Sequence, residues 1–310
     1  MRPLILAGLL ALSAATMAQT RQETTLSRWS FTRDGKTWEQ VKVPHDWAIQ
    51  GPFDRKWDIQ HLAIEQDGQT EAIDHTGRSG ALPWIGEGEY RTTFRLPASA
   101  QHAELYFDGA MSEPVVYVNG RKAGRWMYGY NAFRLDITPF VKTGENQLRV
   151  TLNNREESSR WYPGAGLYRP VKLILTGETR IDPWSTFFRT LSVRQNTAQL
   201  AVDAQAKARP SASHLRFHIA LIDPNGRIAA QKSLPADAQG RVSAALNVSR
   251  PQLWSPETPH LYTLRLSLYQ GKRLIDRTSQ RVGIRTLSIS KTHGFQLNGQ
   301  SRKFKGVCLH

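Results

Sequence analysis

Alternation of apolar and polar residues with a period of two is the feature that most constrains the fold of this chain. Between Tyr90 and Leu96, aromatic and aliphatic residues alternate with arginine and threonine, and Pro97 ends the run. The same pattern recurs over 215–221 and 264–268. Because successive side chains of a strand point to opposite faces of a sheet, each run predicts a half-buried antiparallel strand.

Turn sequences separate these runs. Asn119-Gly120 follows the apolar run 115–118, and a second turn sequence occupies 223–226. An Asn-Gly pair favours the positive φ angles of a tight hairpin. No amphipathic helix of ordinary length is apparent before residue 290. Short strands separated by frequent Gly and Pro turns predict an all-β protein built from two β-sandwiches.

Size, charge and cysteine content restrict the class of protein. The 310 residues suffice for two ordinary domains but not for a third large one. The net charge is +15, yet the basic residues are scattered through strand-like segments with no basic run. We therefore expect a solvated basic surface and no nucleic-acid partner. Cys308 is the only cysteine, so the fold holds no intramolecular disulfide.

The first 18 residues have the features of a cleavable signal peptide. Arg2 is followed by an apolar stretch over 4–15 and by small residues over 15–18. This predicts export, to the periplasm or the medium. The apolar stretch is too short for a transmembrane span, no later stretch reaches 18 apolar residues, and we expect no membrane anchor.

Four segments are unusually rich in aromatic, glycine and charged residues at fixed offsets. They are Val43-Pro44-His45-Asp46-Trp47-Ala48-Ile49 with Gly51-Pro52-Phe53-Asp54, Phe107-Asp108-Gly109-Ala110-Met111, Ser159-Arg160-Trp161-Tyr162-Pro163-Gly164-Ala165-Gly166-Leu167-Tyr168-Arg169-Pro170-Val171, and Leu253-Trp254-Ser255-Pro256-Glu257-Thr258-Pro259 with Leu261-Tyr262. In this order they resemble the N-terminal domains of glycoside hydrolase family 2, which contains β-galactosidases, β-glucuronidases and β-mannosidases. The last residues, Gly294 to His310, resemble the opening of that family's catalytic barrel.

The resemblance implies an organisation in four parts. After the signal peptide (1–18), residues 19–177 would form a galactose-binding-like jelly-roll β-sandwich, and residues 178–286 an immunoglobulin-like β-sandwich. Residues 287–310 would be a short stub of a truncated (β/α)₈ barrel: a hairpin turning at Asn298-Gly299, then an apolar strand over 304–309. A complete barrel needs roughly 250 residues.

The resemblance also implies that this chain lacks catalytic residues. Retaining glycosidases use two carboxylates about 5 Å apart. In the family both are glutamates on later barrel strands, and no position here corresponds to either. We therefore predict the N-terminal portion of an exported, β-galactosidase-like hydrolase of O-glycosyl bonds, catalytically incomplete, without cofactor or metal. The barrel would be lost or carried by a separate chain. The alternative is a non-catalytic carbohydrate-binding protein.

Three residues are candidates for contact with a carbohydrate substrate. His310 ends the segment similar to barrel strand 1, whose histidine lines the sugar pocket in the family. Arg160 stands where several branches of the family carry a sugar-binding acidic residue. It leaves room for an anionic substrate group, although pairing with a barrel carboxylate is the preferred interpretation. Its neighbour Trp161 would contact the sugar or pack, with Tyr162 and Tyr168, against the barrel.

One long segment, 54–83, lacks sustained alternation. Its preferred interpretation is a solvated loop across the first sandwich. Asp58, His61 and Asp74 are conceivable metal ligands, but their spacing matches no recognisable metal-binding pattern.

Overall fold

The computed structural model describes residues 20–54, 84, 86–155, 163–208 and 214–308. The predicted all-β class is confirmed. Within this part of the chain the only helical element is a single 3₁₀ turn at Thr138–Phe140. None of the helical structure described there is long or apolar enough to cross a membrane. The predicted signal peptide lies outside the described residues.

The first sandwich consists of a six-stranded and a four-stranded antiparallel sheet. The strands are β1 (Gln22–Thr25), β2 (Arg28–Thr32), β3 (Glu39–Lys42), β4 (Gly86–Leu96), β5 (His102–Phe107), β6 (Val115–Val118), β7 (Arg121–Arg125), β8 (Phe133–Asp136), β9 (Gly144–Asn154) and β10 (Val171–Thr176). The strand order is β3-β2-β4-β9-β6-β7 in one sheet and β1-β10-β5-β8 in the other.

Aromatic side chains fill the space between these two sheets. Trp29, Phe31 and Tyr90 are fully buried, and Phe107 stacks on Phe133 with ring centroids 4.7 Å apart. They occupy alternate positions of their strands, as the period-two pattern predicts. Complete burial of one such side chain stabilises a fold by roughly 1.5–3 kcal/mol.

The second sandwich also has two antiparallel sheets. The strands are β11 (Arg180–Ile181), β12 (Phe187–Arg194), β13 (Thr197–Lys207), β14 (Leu215–Ile222), β15 (Ile228–Pro235), β16 (Arg241–Ser249), β17 (Tyr262–Gln270) and β18 (Arg273–Val282). In one sheet, β13 lies between β12 and β16 and also pairs with β11. The other sheet has the order β15-β14-β17-β18. The alternating runs 215–221 and 264–268 lie in β14 and β17, as predicted.

A small three-stranded sheet follows the second sandwich. It consists of β19 (Leu287–Ser290), β20 (Gly294–Leu297) and β21 (Gln300–Ser301), and the predicted hairpin turn lies at Asn298-Gly299. The apolar strand expected over 304–309 is wrong for its described part, because 302–308 adopts no strand. Arg302 N donates to Phe295 O and the Phe304 ring contacts the Phe295 ring, but no described strand forms a ladder with the segment. The barrel stub stays a prediction.

A buried ion pair joins the two sandwiches. Arg21, just before β1, donates from Nε and Nη2 to the two carboxylate oxygens of Asp276 on β18, at 3.1 and 2.9 Å. The Asp276 side chain is fully buried, and the Arg21 side chain is 7% exposed. Asp276 also accepts a hydrogen bond from the backbone N–H of Ile181, at 2.7 Å. This one carboxylate of β18 therefore binds both β11 and the segment that leads into β1.

Candidate functional site

Two of the sequence motifs, far apart in the chain, pair as extended segments at one end of the first sandwich. The backbone N–H of His45 donates to Leu167 O at 2.8 Å, and that of Trp47 donates to Ala165 O at 3.2 Å. The Asp46 carboxylate accepts from the backbone N–H of Ala165, at 3.2 Å. The segment around Asp46 is therefore fixed by the segment that follows Pro163.

A third motif pairs with the other side of the same segment. Met111 and Gly166 exchange two backbone hydrogen bonds, at 2.9 and 2.7 Å. Residues 165–167 thus lie between 45–47 and 110–111, as a middle strand would. We call the assembly of 45–47, 108–111 and 164–169 the motif junction.

The interior of the motif junction is a neutral hydrogen-bonded pair. His45 Nδ1 lies 2.7 Å from Tyr90 Oη, and the His45 ring contacts Phe31 edge-on, with centroids 5.0 Å apart. Burial lowers the pKa of His45 and raises the pKa of Tyr90. Both side chains are therefore uncharged near neutral pH. Both side chains are buried and pack beneath the junction.

The outer rim of the motif junction carries exposed apolar and aromatic side chains. Met127, Tyr128 and Tyr130 belong to the loop between β7 and β8, and all three are exposed. Tyr168 donates its hydroxyl hydrogen to Gly129 O at 3.0 Å, which fastens this loop. Burial raises the pKa of Tyr168. An aromatic surface next to polar backbone is the type of surface on which a sugar ring can stack.

Arg169 fixes the same loop from a second direction. Its guanidinium donates to Asp108 O and to Tyr130 O, both at 3.3 Å, and lies 5.1 Å from the centre of the Tyr168 ring. These bonds connect the motif around 108 to the loop at 130. The composition of loop 126–131, with three aromatic residues and a methionine between two strands, was the available sequence signal for this rim, and sequence reasoning missed it.

The three predicted substrate-contacting residues, Arg160, Trp161 and His310, lie outside the described residues. The same holds for the conceivable metal ligands in the segment 55–83. Within the described ranges, no three His, Cys, Asp or Glu side chains are placed to hold a metal ion. The described part of the site is therefore the motif junction and its aromatic rim.

The fourth motif lies in the second sandwich and has a packing role. The Trp254 backbone N–H donates to Ile284 O at 2.9 Å, and its ring lies 4.9 Å from the Arg285 guanidinium. A Cβ atom on Gly283 would come within 2.9 Å of the Trp254 side chain. Asn298 Nδ2 donates to Trp254 O at 3.1 Å, so this motif also holds the C-terminal sheet.

Comparison with known families gives two matches. Residues 179–285 match the model described as glycosyl hydrolases family 2, and residues 61–164 match the model described as the glycosyl hydrolase 2 galactose-binding domain-like. The chain belongs to glycoside hydrolase family 2. The two matched ranges cover much of the second and the first sandwich, respectively.

Among curated relatives, this family 2 chain is similar to a putative β-glucuronidase of Formosa agariphila and to the β-galactosidase BoGH2A of Bacteroides ovatus. It is 33% identical to the first over 280 residues, which is 89% of this chain and 25% of the relative. It is 35% identical to the second over 283 residues, which is 88% of this chain and 31% of the relative. The family 2 chain thus spans about a quarter to a third of these relatives.

Solved structures agree with the sequence comparison. A family 2 member from Bacteroides cellulosilyticus superposes with a TM-score of 0.80 at 30% identity, over 93% of this chain and 38% of that one. A β-glycosidase from Bacteroides vulgatus gives a TM-score of 0.77 at 28% identity, over 93% of this chain and 37% of that one.

Proposed function

We propose that this family 2 chain supplies the two accessory β-sandwiches of a β-glycosidase that hydrolyses O-glycosyl bonds. The observation that supports this most directly is the motif junction, where three motifs converge under an exposed aromatic rim. We further propose that residues 1–18 direct export, because a glycosidase acting on external glycans has its substrate outside the cell.

In this proposal the rim at Met127, Tyr128 and Tyr130 forms one wall of the sugar pocket. Tyrosine rings stack on the apolar face of a sugar, and their hydroxyl groups accept or donate hydrogen bonds at its edge. Arg169 and Tyr168 hold this wall through the bonds to the loop backbone. The rest of the pocket, together with the catalytic carboxylates, would belong to a barrel outside these 310 residues.

The described glutamates that pair with arginines are consistent with this division of labour. A general acid for glycoside hydrolysis needs a raised pKa, which an adjacent arginine opposes. A hydrogen bond from Arg302 lowers the pKa of Glu257. Five described glutamates form an ion pair with an arginine: Glu23, Glu89, Glu104, Glu113 and Glu257. They serve as structural counterions in our proposal.

The first test is hydrolysis by the purified 310-residue chain. We expect no turnover of aryl β-galactosides, β-glucuronides or β-mannosides, since both the acid/base and the nucleophile would be absent. Turnover at an enzymatic rate that follows this protein through every purification step would overturn the division of labour.

A binding titration on the same preparation separates the accessory role from the alternative carbohydrate-binding protein. A site open on one side buries little of a ligand, so we expect a Kd for galactose no tighter than about 1 mM. Glucuronate should bind slightly better if Arg160 contributes, and the Arg160→Ala variant would remove that preference. Micromolar binding of galactose, unaffected by Arg160→Ala, would favour the carbohydrate-binding protein instead.

A further inference from the structure

The outer face of the six-stranded sheet carries a second arrangement of polar, basic and aromatic side chains. One residue from each strand lies in matched register, so that a single row crosses the whole sheet. With a spacing of about 4.8 Å between strands, five spacings make this row roughly 24 Å long. In sheet order the row is Gln40, Ser30, Arg91, Arg149, Tyr117 and Lys122.

The centre of the row places two like charges directly opposite each other. Arg91 and Arg149 are cross-strand partners, an arrangement that destabilises a sheet unless an anion lies between the charges. Glu89 supplies one anion: its Oε1 lies 2.5 Å from Arg91 Nε, and its Oε2 lies 3.2 Å from Arg149 Nη1. One carboxylate shared by two guanidinium groups leaves a net positive charge.

Aromatic rings hold both guanidinium groups in place. Arg149 lies 3.9 Å from the centre of the Tyr117 ring, and Arg91 lies 4.4 Å from the centre of the Trp38 ring. Stacking on a ring restricts a long side chain before any ligand arrives, which reduces the entropy lost on binding. The two arginines therefore form a preorganised pair of cations.

All residues of the row except Lys122 line a shallow groove of about 510 Å³. Hydroxyl and amide side chains, among them Thr93 and Gln147, and a further cation, Arg28, also line the groove. Gln40 Nε2 donates to Ser30 Oγ at 2.8 Å, so the acceptor of the Gln40 amide, its oxygen, is not used in this bond. Hydroxyl and amide groups next to fixed arginines suit a ligand that carries both hydroxyl groups and acidic groups.

We propose that this face binds an acidic polysaccharide, with carboxylate or sulfate groups on Arg91 and Arg149 and sugar hydroxyl groups on the neighbouring polar side chains. The choice of a glycan over another polyanion rests on the proposed function. The inference that the face binds an anionic ligand rests only on the charges of the two arginines. Bidentate contact with a planar carboxylate or with sulfate oxygens is the chemistry that arginine favours. The face is separate from the motif junction, because Arg91 is exposed on the outer face of β4 whereas Tyr90, which lies beneath the junction, is buried on the inner face.

The test is affinity electrophoresis of the 310-residue chain in gels containing polygalacturonate, chondroitin sulfate or neutral galactan. We expect both acidic polymers, but not galactan, to retard the chain. The double variant Arg91→Gln/Arg149→Gln should bind the acidic polymers at least about tenfold more weakly. Its matched control is Arg216→Gln/Arg265→Gln, two exposed arginines on neighbouring strands of the second sandwich, which should bind as the unaltered chain does.

A second variant separates ligand binding from a purely structural role. Glu89→Gln removes the competing carboxylate, so we expect acidic polymers to bind several-fold more tightly, although the sheet itself loses two ion pairs. Weaker binding by Glu89→Gln, or equal losses in the two arginine double variants, would overturn the proposal. Retardation by duplex DNA at the same concentration, with the same variant sensitivity, would overturn the assignment to glycans.

Failure of the polysaccharide proposal can be distinguished from failure of the proposed function. Hydrolysis and galactose binding report on the motif junction and the barrel, and neither depends on Arg91 or Arg149. The thermal unfolding midpoint of each variant distinguishes a change in the groove from a loss of fold, because only a loss of fold lowers the midpoint strongly.

Discussion

Gly166 occupies the middle of the motif junction, where three segments approach closely. Its φ is +105°, a conformation that residues with a Cβ rarely adopt. A Cβ atom there would clash with Tyr90 Oη and lie 2.8 Å from His45 O. The glycine is therefore required by both backbone conformation and space.

Substituting this glycine should destabilise the first sandwich. We expect Gly166→Ala to lower the free energy of unfolding by about 3 kcal/mol, from the positive φ and from overpacking against Tyr90. Gly35→Ala is the matched control, because Gly35 has φ +71° but a Cβ atom added to it would meet no atom within 4 Å. It should lose only about 1 kcal/mol. Urea unfolding measures both, and equal losses would contradict the packing argument.

At the scale of elements, the C-terminal sheet is attached to the second sandwich by a few polar contacts. Asn298 accepts from Thr286 N at 3.0 Å and donates to Trp254 O at 3.1 Å. Arg302 forms a two-contact ion pair with Glu257. Beyond this pair, Phe304 and Val307 are 80% and 93% exposed. Attachment therefore ends near Arg302.

Limited proteolysis should reveal this boundary. We expect trypsin to cleave the folded chain first after Lys303 and Lys305, because segments with few contacts open at little cost in free energy. Asn298→Ala should move the main cut upstream to Lys291. Asn225→Ala, in the exposed turn between β14 and β15, is the control and should leave the pattern unchanged. A first cut at Arg285 in the unaltered chain would show that the sheet is not attached.

At the scale of the whole molecule, the Arg21–Asp276 ion pair connects the start of the first sandwich to the second. The pair is nearly inaccessible, and the carboxylate accepts further hydrogen bonds from the backbone of Ile181 and Arg277. Removing one member of such a pair leaves the other charge buried without its counterion.

We expect Arg21→Met to lower the free energy of unfolding by about 3 kcal/mol, the range for breaking a buried pair. Arg241→Met removes an exposed pair with Asp237 and is the matched control; it should cause no measurable loss. Guanidinium unfolding followed by tryptophan fluorescence measures both variants. Similar midpoints for the two would show that the interdomain pair adds nothing to stability.

The alternation of apolar and polar residues predicted the strands well, because a period of two depends only on which face of a strand is buried. The runs in β4, β14 and β17 and the turn at Asn298-Gly299 needed no knowledge of their neighbours. The same reasoning failed over 304–308, where the apolar residues Phe304, Val307 and Cys308 pair with no described strand. A strand needs a partner as well as a pattern.

The sequence by itself determined the all-β class and the family, since both depend on residue types at fixed offsets. Only the tertiary structure brought Asp46 to Ala165, which are 119 positions apart, or aligned Arg91 with Arg149 and Arg21 with Asp276. These neighbours follow from the order of strands in each sheet. Period-two alternation tells which face of a strand a side chain occupies; long-range pairing alone decides what lies beside it.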